Sequence, residues 1–297
     1  MTAREQGFLL LTGYLGDPNR RPLTLAQFRH LTALARSMEK PEVDRDMTIQ
    51  DLVAIGCDPG IAQRVLGLLS QKEQLQWYLE KGRRKDCFPV TRISEEYPHR
   101  LRKVLDADAP GCLWTKGDQS LLGLPSISLV GSRVLNPYNH TFAAEVGKQA
   151  ASQGLVLVSG NARGADRTAQ ESCLAHGGKV ISVVADQLEN QPLQENVLYL
   201  SEEGFDLPFS SQRALQRNRI IHSLSDVTFV AQSTFGKGGT WSGTSYNLRM
   251  HLSTVACFDD GTDASRELIN RGAIPVSAGM LDNLRAIKSD VINFIDR

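Results

Sequence analysis

From residue 127 onward the chain alternates between short uninterrupted apolar runs and segments whose apolar residues recur every three or four positions. The runs at 127–130, 155–158, 180–185, 227–231, 254–258 and 273–276 read as strands buried on both faces. Between them the spacing predicts helices over 142–151, 166–175, 213–224, 246–252 and 264–270. Two β-rich pieces, 89–93 and 112–115, precede this alternation. Buried strands separated by helices define a parallel sheet covered on both sides, and right-handed crossovers make it doubly wound. The predicted class is therefore α/β with a mainly parallel sheet, whose ligands sit outside the carboxyl ends of the strands.

The first 85 residues are patterned for helices alone. Thr24 caps a helix over 25–38, with Phe28, Leu31, Leu34 and Ala35 on one stripe. Thr48 heads a segment over 49–55, a turn containing Gly56, Pro59 and Gly60 follows, and a further helix runs from 61 through 69 to 79. Two short helices around a Pro-Gly turn are faintly similar to a helix-hairpin-helix, a phosphate-gripping element; the favoured reading is a plain packing module. The basic run 81–85 reads as the solvated edge of a linker. A boundary at 82–89 divides the chain into a small helical N-terminal domain, 1–85, and the α/β domain, 86–297.

Composition narrows the classes. The chain has 297 residues, 41% of them hydrophobic and 22% charged, an ordinary globular balance with enough length to bury a core. No stretch approaches the roughly 18 uninterrupted apolar residues of a membrane span. The run Phe8 to Leu11 is too short for a signal-peptide core, which places the protein in the cytoplasm. The five cysteines are scattered without a CxxC and read as reduced core thiols, and the six histidines are dispersed. No metal or cofactor is expected. Net charge is zero, with 33 basic and 33 acidic side chains. That balance excludes a broad basic field of the kind that coats duplex DNA, so any nucleic-acid site must be local.

Local concentration of charge is what the loops show. One strand ends in Gly131, Ser132 and Arg133. The next ends in Ser159-Gly160-Asn161-Ala162-Arg163-Gly164-Ala165-Asp166, where glycines let backbone amides face an anion at a helix N-terminus. A third stretch, rich in Gly, Ser and Thr, holds Lys237, Gly238, Gly239, Thr240 and Trp241 and runs on to Thr244. A fourth element is helical and carries Arg217, Asn218 and Arg219 beside the inward-packing Ile220 and Ile221. Residues 127–250 balance at ten basic and ten acidic side chains. The four elements alone hold Arg133, Arg163, Arg217, Arg219 and Lys237 against the single acid Asp166. Amides, hydroxyls and guanidinium groups together suit phosphates. Plain structural roles stand beside this reading. Asp166 serves as a helix-start residue that orients Arg163 or nearby amides; Arg217 and Arg219 form internal ion pairs; Trp241 fills its loop instead of stacking on a base.

Taken in order, these segments resemble the DNA-processing protein A family, also called Smf. The resemblance rests on Glu96-Tyr97-Pro98-His99-Arg100-Leu101, Leu113-Trp114-Thr115-Lys116-Gly117, Ser128-Leu129-Val130-Gly131-Ser132-Arg133, the stretch from Val158 to Asp166, Gln216-Arg217-Asn218-Arg219-Ile220-Ile221, and a tail over 261–273. It spans about residues 90 to 280. It implies a Rossmann-like domain that binds single-stranded DNA in a basic pocket, forms a homodimer, and delivers the strand to the RecA recombinase during natural transformation. By position, the pocket would be built from Gly131, Ser132, Arg133, Ser159, Gly160, Arg163, Gly164, Arg217 and Arg219. Asp166, Asn218, Lys237, Gly238, Gly239 and Thr240 join them on the loop reading.

The chain departs from the family pattern in three places. After the strand ending at Ala231 it has Lys237-Gly238-Gly239-Thr240-Trp241-Ser242-Gly243-Thr244 in place of a Gly-Ser-x-x-Thr-Ala pattern. The stretch 186–201 is short and lacks a Tyr-Pro pattern. The C-terminal winged helix found in some members is not expected.

Two other function classes share these residues. Nucleotide phosphoribohydrolases of the wider superfamily resemble Gly-Gly-x-Gly-Thr-x-x-Glu at the same strand end. Here the glycine pairs are spaced two residues wider and Asn247 takes the Glu position. Glycosidic cleavage needs a carboxylate to support an oxocarbenium-like centre, so no catalytic residue is assigned and the chain reads as a non-enzyme. Divergent relatives occur in phage-defence and toxin–antitoxin cassettes, which makes an antitoxin or sensor with a cognate toxin as partner the third class.

Overall fold

The computed structural model describes residues 1–17, 19–36 and 46–287. Five helices open the chain: α1 Ala3–Thr12, α2 Leu25–Ala35, α3 Ile49–Ala54, α4 Pro59–Leu69 and α5 Lys72–Arg83. Thr2, Thr24 and Thr48 each begin a helix with a reciprocal capping box, so the first three starts are written locally in the sequence. The end of the helix expected over 25–38 falls outside the described residues. The helix expected over 61–79 is two helices. Gln71 leaves the helical region at φ −82°, ψ 38°, and its side chain instead accepts a 2.8 Å hydrogen bond from Nε of Arg20. Arg20 is buried there, with Nη2 donating to the Leu10 carbonyl.

Nine strands then form one sheet: β1 Phe88–Thr91, β2 Cys112–Gly117, β3 Ser126–Val130, β4 Val156–Ser159, β5 Lys179–Val183, β6 Val197–Ser201, β7 Val227–Val230, β8 Thr254–Phe258 and β9 Ile274–Val276. Their spatial order is β1-β2-β6-β5-β4-β3-β7-β8-β9. Seven strands, β6 through β9 in that order, are parallel, while β2 joins β6 antiparallel and β1 joins β2 antiparallel. The sheet is doubly wound as predicted. The chain builds outward from β3 through β4, β5 and β6, then returns to place β7 on the other side of β3. That reversal puts the crevice of the switch point at the carboxyl ends of β3 and β7. Each edge strand carries a proline, Pro89 in β1 and Pro275 in β9.

β6 has no counterpart in the predicted strands. Its five residues, Val197-Leu198-Tyr199-Leu200-Ser201, are all buried between two neighbours. They follow a dozen mostly polar residues and carry no flanking turn signature. Also unpredicted is α6, His99–Leu105, which buries Leu101 and Leu105.

Strand side chains alternate between two cores. Ile127, Leu129 and Leu157 face one, packed by Phe142 and Val146 of α7 (Pro137–Ser152) and by Ala165, Ala169 and Cys173 of α8 (Ala165–Ala175). Val130, Val156, Val158 and Ile181 face the other. It is covered by α6 and by α10 (Asn218–Leu224), α11 (Gly238–Met250) and α12 (Asp263–Asn270). A short helix, α9 Ser211–Gln216, precedes α10. The first core also takes in Leu9 and Leu10 of α1 and Leu75 and Tyr78 of α5. Tyr78 meets Trp114 and Phe205 at ring-centroid distances of 5.1 and 4.6 Å, and its hydroxyl donates to Asp206 at 2.9 Å. The remaining helical surface of α1–α4 closes on a small core of its own around Leu52, Ala62 and Val65. Among the described residues, no helix is long and apolar enough to cross a membrane.

The tightest helix contact is α7 on α8. A β-carbon on Gly147 would strike the backbone carbonyl of Ala169, leaving no flexible group to move aside. Gly147→Ala should therefore incur about 1–3 kcal/mol, the usual cost of overpacking. The ~1 kcal/mol that alanine gains over glycine in a helix offsets part of this, leaving a net loss of up to about 2 kcal/mol. Thermal and urea denaturation check it; a variant as stable as the parent would show that α7 can move away freely.

Candidate functional site

Three loops and two helix starts surround the switch point. β3 ends at Val130, and Gly131 follows so closely packed that a β-carbon there would overlap that of Ala165. The amide of Ser132 donates to the carbonyl of Gln232 at 2.9 Å, and the carbonyl of Ser132 accepts from the amide of Ala165 at 3.1 Å. Gly164 has φ +86°, and a side chain there would run into the Ser132 and Arg133 backbone. Only glycine meets both demands. The first loop is thereby clamped between Gln232, two residues past β7, and the start of α8, with Arg133 exposed to solvent.

The second loop shows what Gly160 is for. A β-carbon on it would occupy the place of the Arg217 guanidinium. Arg217 stands at the junction of α9 and α10, where the backbone of the helix expected over 213–224 runs on at helical φ −64°, ψ −20°. Its side chain is 11% exposed and lies 4.0 Å from Asp166 Oδ2 through Nη2. Its Nε and Nη1 are buried without a hydrogen-bond partner. Burial lowers the Arg217 pKa, opposed by Asp166 and Asp186. Asp166, in the first turn of α8, accepts from the Ala162 amide at 3.3 Å, as a residue that orders the loop. Burial pushes its carboxyl up to about 6, against the opposing pull of Arg217 and the loop amides.

The third stretch is not a loop throughout: α11 begins at Gly238. No side chain caps it, since Lys237 at the N-cap makes no such bond. The start is held by Thr240 Oγ1 donating to the Gly131 carbonyl at 2.9 Å and by Asn218 Nδ2 donating to the Gly239 carbonyl at 3.1 Å. Uncapped amides and the aligned peptide dipoles of α11 leave partial positive charge facing the crevice.

The result is a crevice of about 540 Å³ lined by Gly131, Ser132, Arg133, Asp166, Arg217, Asn218, Lys237, Gly238, Gly239 and Thr240. It adjoins a lobe of about 470 Å³ with Arg133, Arg163, Asp186, Phe209 and Arg217. Arg133, Arg163 and Lys237 are exposed, and none has an ion pair or side-chain hydrogen bond among the described residues.

Four expected members line neither space: Gly160 and Gly164 pack against the Arg217 guanidinium and the first-loop backbone, and Ser159 and Arg219 lie elsewhere. Ser159 is fully buried, and its hydroxyl accepts from Gln170 Nε2 at 2.7 Å beneath the loop. Arg219, two residues beyond Arg217, points away because α10 has turned it: it pairs with Glu202 and donates to the Asp108 carbonyl at 2.7 Å. Trp241 is likewise unavailable for stacking. It is buried, with Phe235 against it edge-on at 5.0 Å and the Arg271 guanidinium over its ring. Asn247 does not reach the crevice; it is buried and holds His222 and Ser253 by hydrogen bonds of 2.9 and 2.8 Å. Among the described residues, no group of His, Cys, Asp or Glu is arranged to hold a metal ion. The sequence analysis does not single out the exposed apolar side chains at the mouth, Val134, Phe209 and Leu215, and their apolar neighbours Leu135, Pro208 and Ala214 leave no local signal that would.

A doubly wound, Rossmann-like fold with a cation-rich, glycine-built crevice at its switch point defines the class. The chain belongs to the family described as DNA recombination-mediator protein A, whose model matches residues 89–284. It is 32% identical over 206 residues to a DNA processing protein, DprA, of Streptococcus pneumoniae, covering 65% of this chain and 72% of that one. It is 29% identical over 210 residues to the Bacillus subtilis protein of the same name, covering 66% and 69%. The crystal structure of the S. pneumoniae protein superposes with a TM-score of 0.73 at 25% identity, covering 97% of this chain and 99% of that one. A Helicobacter pylori DNA processing protein A, described for its single-stranded DNA binding mode, superposes at 0.56 and 25% identity, covering 66% and 94%.

The protonation of Asp166 should control anion binding here. A carboxyl raised to about 6 is ionised at pH 7.5 and neutral near pH 5, while His222, pushed down to about 3, stays neutral throughout. Affinity for a phosphodiester strand should therefore rise about fivefold as pH falls from 7.5 to 5, the effect of removing roughly 1 kcal/mol of screened repulsion. Asp166→Asn should bind at pH 7.5 as the parent does at pH 5 and lose the inflection near 6. Fluorescence-anisotropy titrations of both proteins across pH decide it, and an inflection retained in the variant would assign the effect to another group.

Proposed function

We propose that this protein binds single-stranded DNA, taking successive phosphates in the crevice at the carboxyl ends of β3, β4 and β7. The observation that carries the reading is the state of its cations. Three, Arg133, Arg163 and Lys237, are exposed and unpaired among the described residues. The fourth, Arg217, is buried with two nitrogens unsatisfied. A desolvated guanidinium without full partners is costly, and an arriving phosphate relieves that cost through charge-assisted hydrogen bonds. Membership of a DNA recombination-mediator family points the ligand toward nucleic acid, and the H. pylori neighbour is described as binding it single-stranded. Because the whole chain is neutral, attraction is confined to this narrow site, which favours a flexible strand over a stiff duplex. The reading extends to handing the strand to a RecA-type recombinase, supported by the family's description as recombination mediators, and to the homodimer that the family resemblance implies. Faster assembly of recombinase filaments on strands pre-bound by this protein tests that step.

Single-stranded oligonucleotides should bind more tightly than blunt duplex of matched length. With three to five cationic contacts, log affinity should fall with log salt at a slope of about −2 to −4, at ~0.7 per single-strand phosphate. Equal affinity for duplex, or a flat salt response, would count against a phosphate-gripping crevice.

Arg163→Ala tests the loop itself. The side chain is exposed and free, so its removal should leave the melting temperature nearly unchanged. Affinity should fall about tenfold to a hundredfold, the loss of one charge-assisted hydrogen-bonding group of about 1.5–3 kcal/mol. A destabilised variant with parental affinity would instead make Arg163 a structural residue.

A further inference from the structure

We infer that the turn Thr234-Phe235-Gly236-Lys237 is a nucleobase-stacking element, with Phe235 as the platform and Lys237 holding the adjoining phosphate; the inference rests on the crevice binding a single strand. The turn joins β7 to α11 and ends at Lys237, where the sequence begins to depart from the family's pattern. It is closed by the Lys237 amide donating to the Thr234 carbonyl at 3.1 Å, with Gly236 at φ +68°. A positive φ at the third residue of a four-residue turn is what glycine supplies there, so the turn is locally encoded. Its two ends, Thr234 and Lys237, both line the crevice.

Phe235 stands between them with 54% of its surface in solvent. A phenyl ring so exposed on a tight polar turn gains little from the fold. It is nevertheless held: it packs against Trp241 with centroids 5.0 Å apart and planes at 65°, and the Arg271 guanidinium lies over the Trp241 ring. That contact supports the Phe235 ring and leaves more than half of its surface open. Trp241 itself is buried, so Phe235 is the aromatic surface that this stretch offers. Every base has a π-face, and base–aromatic stacking is indifferent to sequence, which matches a site whose other contacts are all to phosphate. Lys237 follows two residues later, exposed and unpaired, beside the uncapped start of α11. Charge and ring are therefore adjacent, as phosphate and base are in one nucleotide.

The test compares an oligothymidylate with an abasic phosphodiester of the same length. Phe235→Ala should weaken oligothymidylate binding about five- to a hundredfold, the usual range for one stacked base, with an unchanged salt slope. It should leave abasic-strand binding at the parental level. Phe235→Leu keeps apolar bulk against Trp241 without an aromatic face, and it should behave like Phe235→Ala. Phe235→Trp should restore affinity, with fluorescence quenched beyond the parental signal by oligothymidylate and not by the abasic strand. Trp77→Ala removes an equally exposed aromatic on α5 and should change nothing. Parental affinity in Phe235→Leu, or equal losses on both strands, would overturn the stacking role while leaving the phosphate crevice intact. Failure of the unmodified protein to bind either strand would instead remove the underlying reading, and this one with it.

Discussion

The carboxyl ends of β3 and β4 and the start of α8 meet in less space than side chains permit, and glycine is what lets them meet. Gly131 lies against Ala165, Gly164 against the carbonyls of the first loop, and Gly160 leaves the room that the Arg217 guanidinium fills. Because backbone contacts hold these loops, their cations are not needed to do so. Arg133 and Arg163 stay exposed and unpaired for that reason. A site held by its backbone arrives with its charges uncommitted, which is the arrangement that favours anion capture without rearrangement.

The same crowding sets the energetics of Arg217. A guanidinium facing one carboxylate at 4.0 Å, and that carboxylate itself biased toward protonation, is only partly compensated. Buried ion pairs seldom recover their desolvation cost, so this one is weak evidence for stability. Arg217 keeps helical dihedrals where α9 passes into α10, so the backbone runs on through it. Residues two apart on a helix face nearly opposite sides. One arginine is thus sent under the crevice and the other to Glu202.

Most of the sheet was legible because its strands are uninterrupted apolar runs, and β8 was predicted residue for residue. β6 was not, since Val197 to Ser201 becomes a strand only by lying between β5 and β2, a long-range circumstance absent from its own residues. The glycine loops were legible for a local reason: a positive φ and a close approach exclude other residues. Arg217 and Arg219 were not separable, because a contiguous motif does not say which side of its helix meets the crevice. Ser159 failed similarly; strand-terminal hydroxyls look alike whether they face solvent or Gln170. The Gly-rich start of α11 read as a loop because three of its first six residues are glycines, and its helicity comes from packing Trp241 and Thr244.

The prolines at the two rims of the sheet bear on how copies of this chain can meet. An edge strand ordinarily offers a row of unpaired backbone groups, which a strand from another molecule can extend. Here β1 and β9 are four and three residues long, and each lacks one amide donor where a pyrrolidine ring stands instead. Strand-to-strand annealing is thus blunted at both rims, and self-association is left to side-chain surfaces on the helical faces, where it can be specific and finite instead of open-ended.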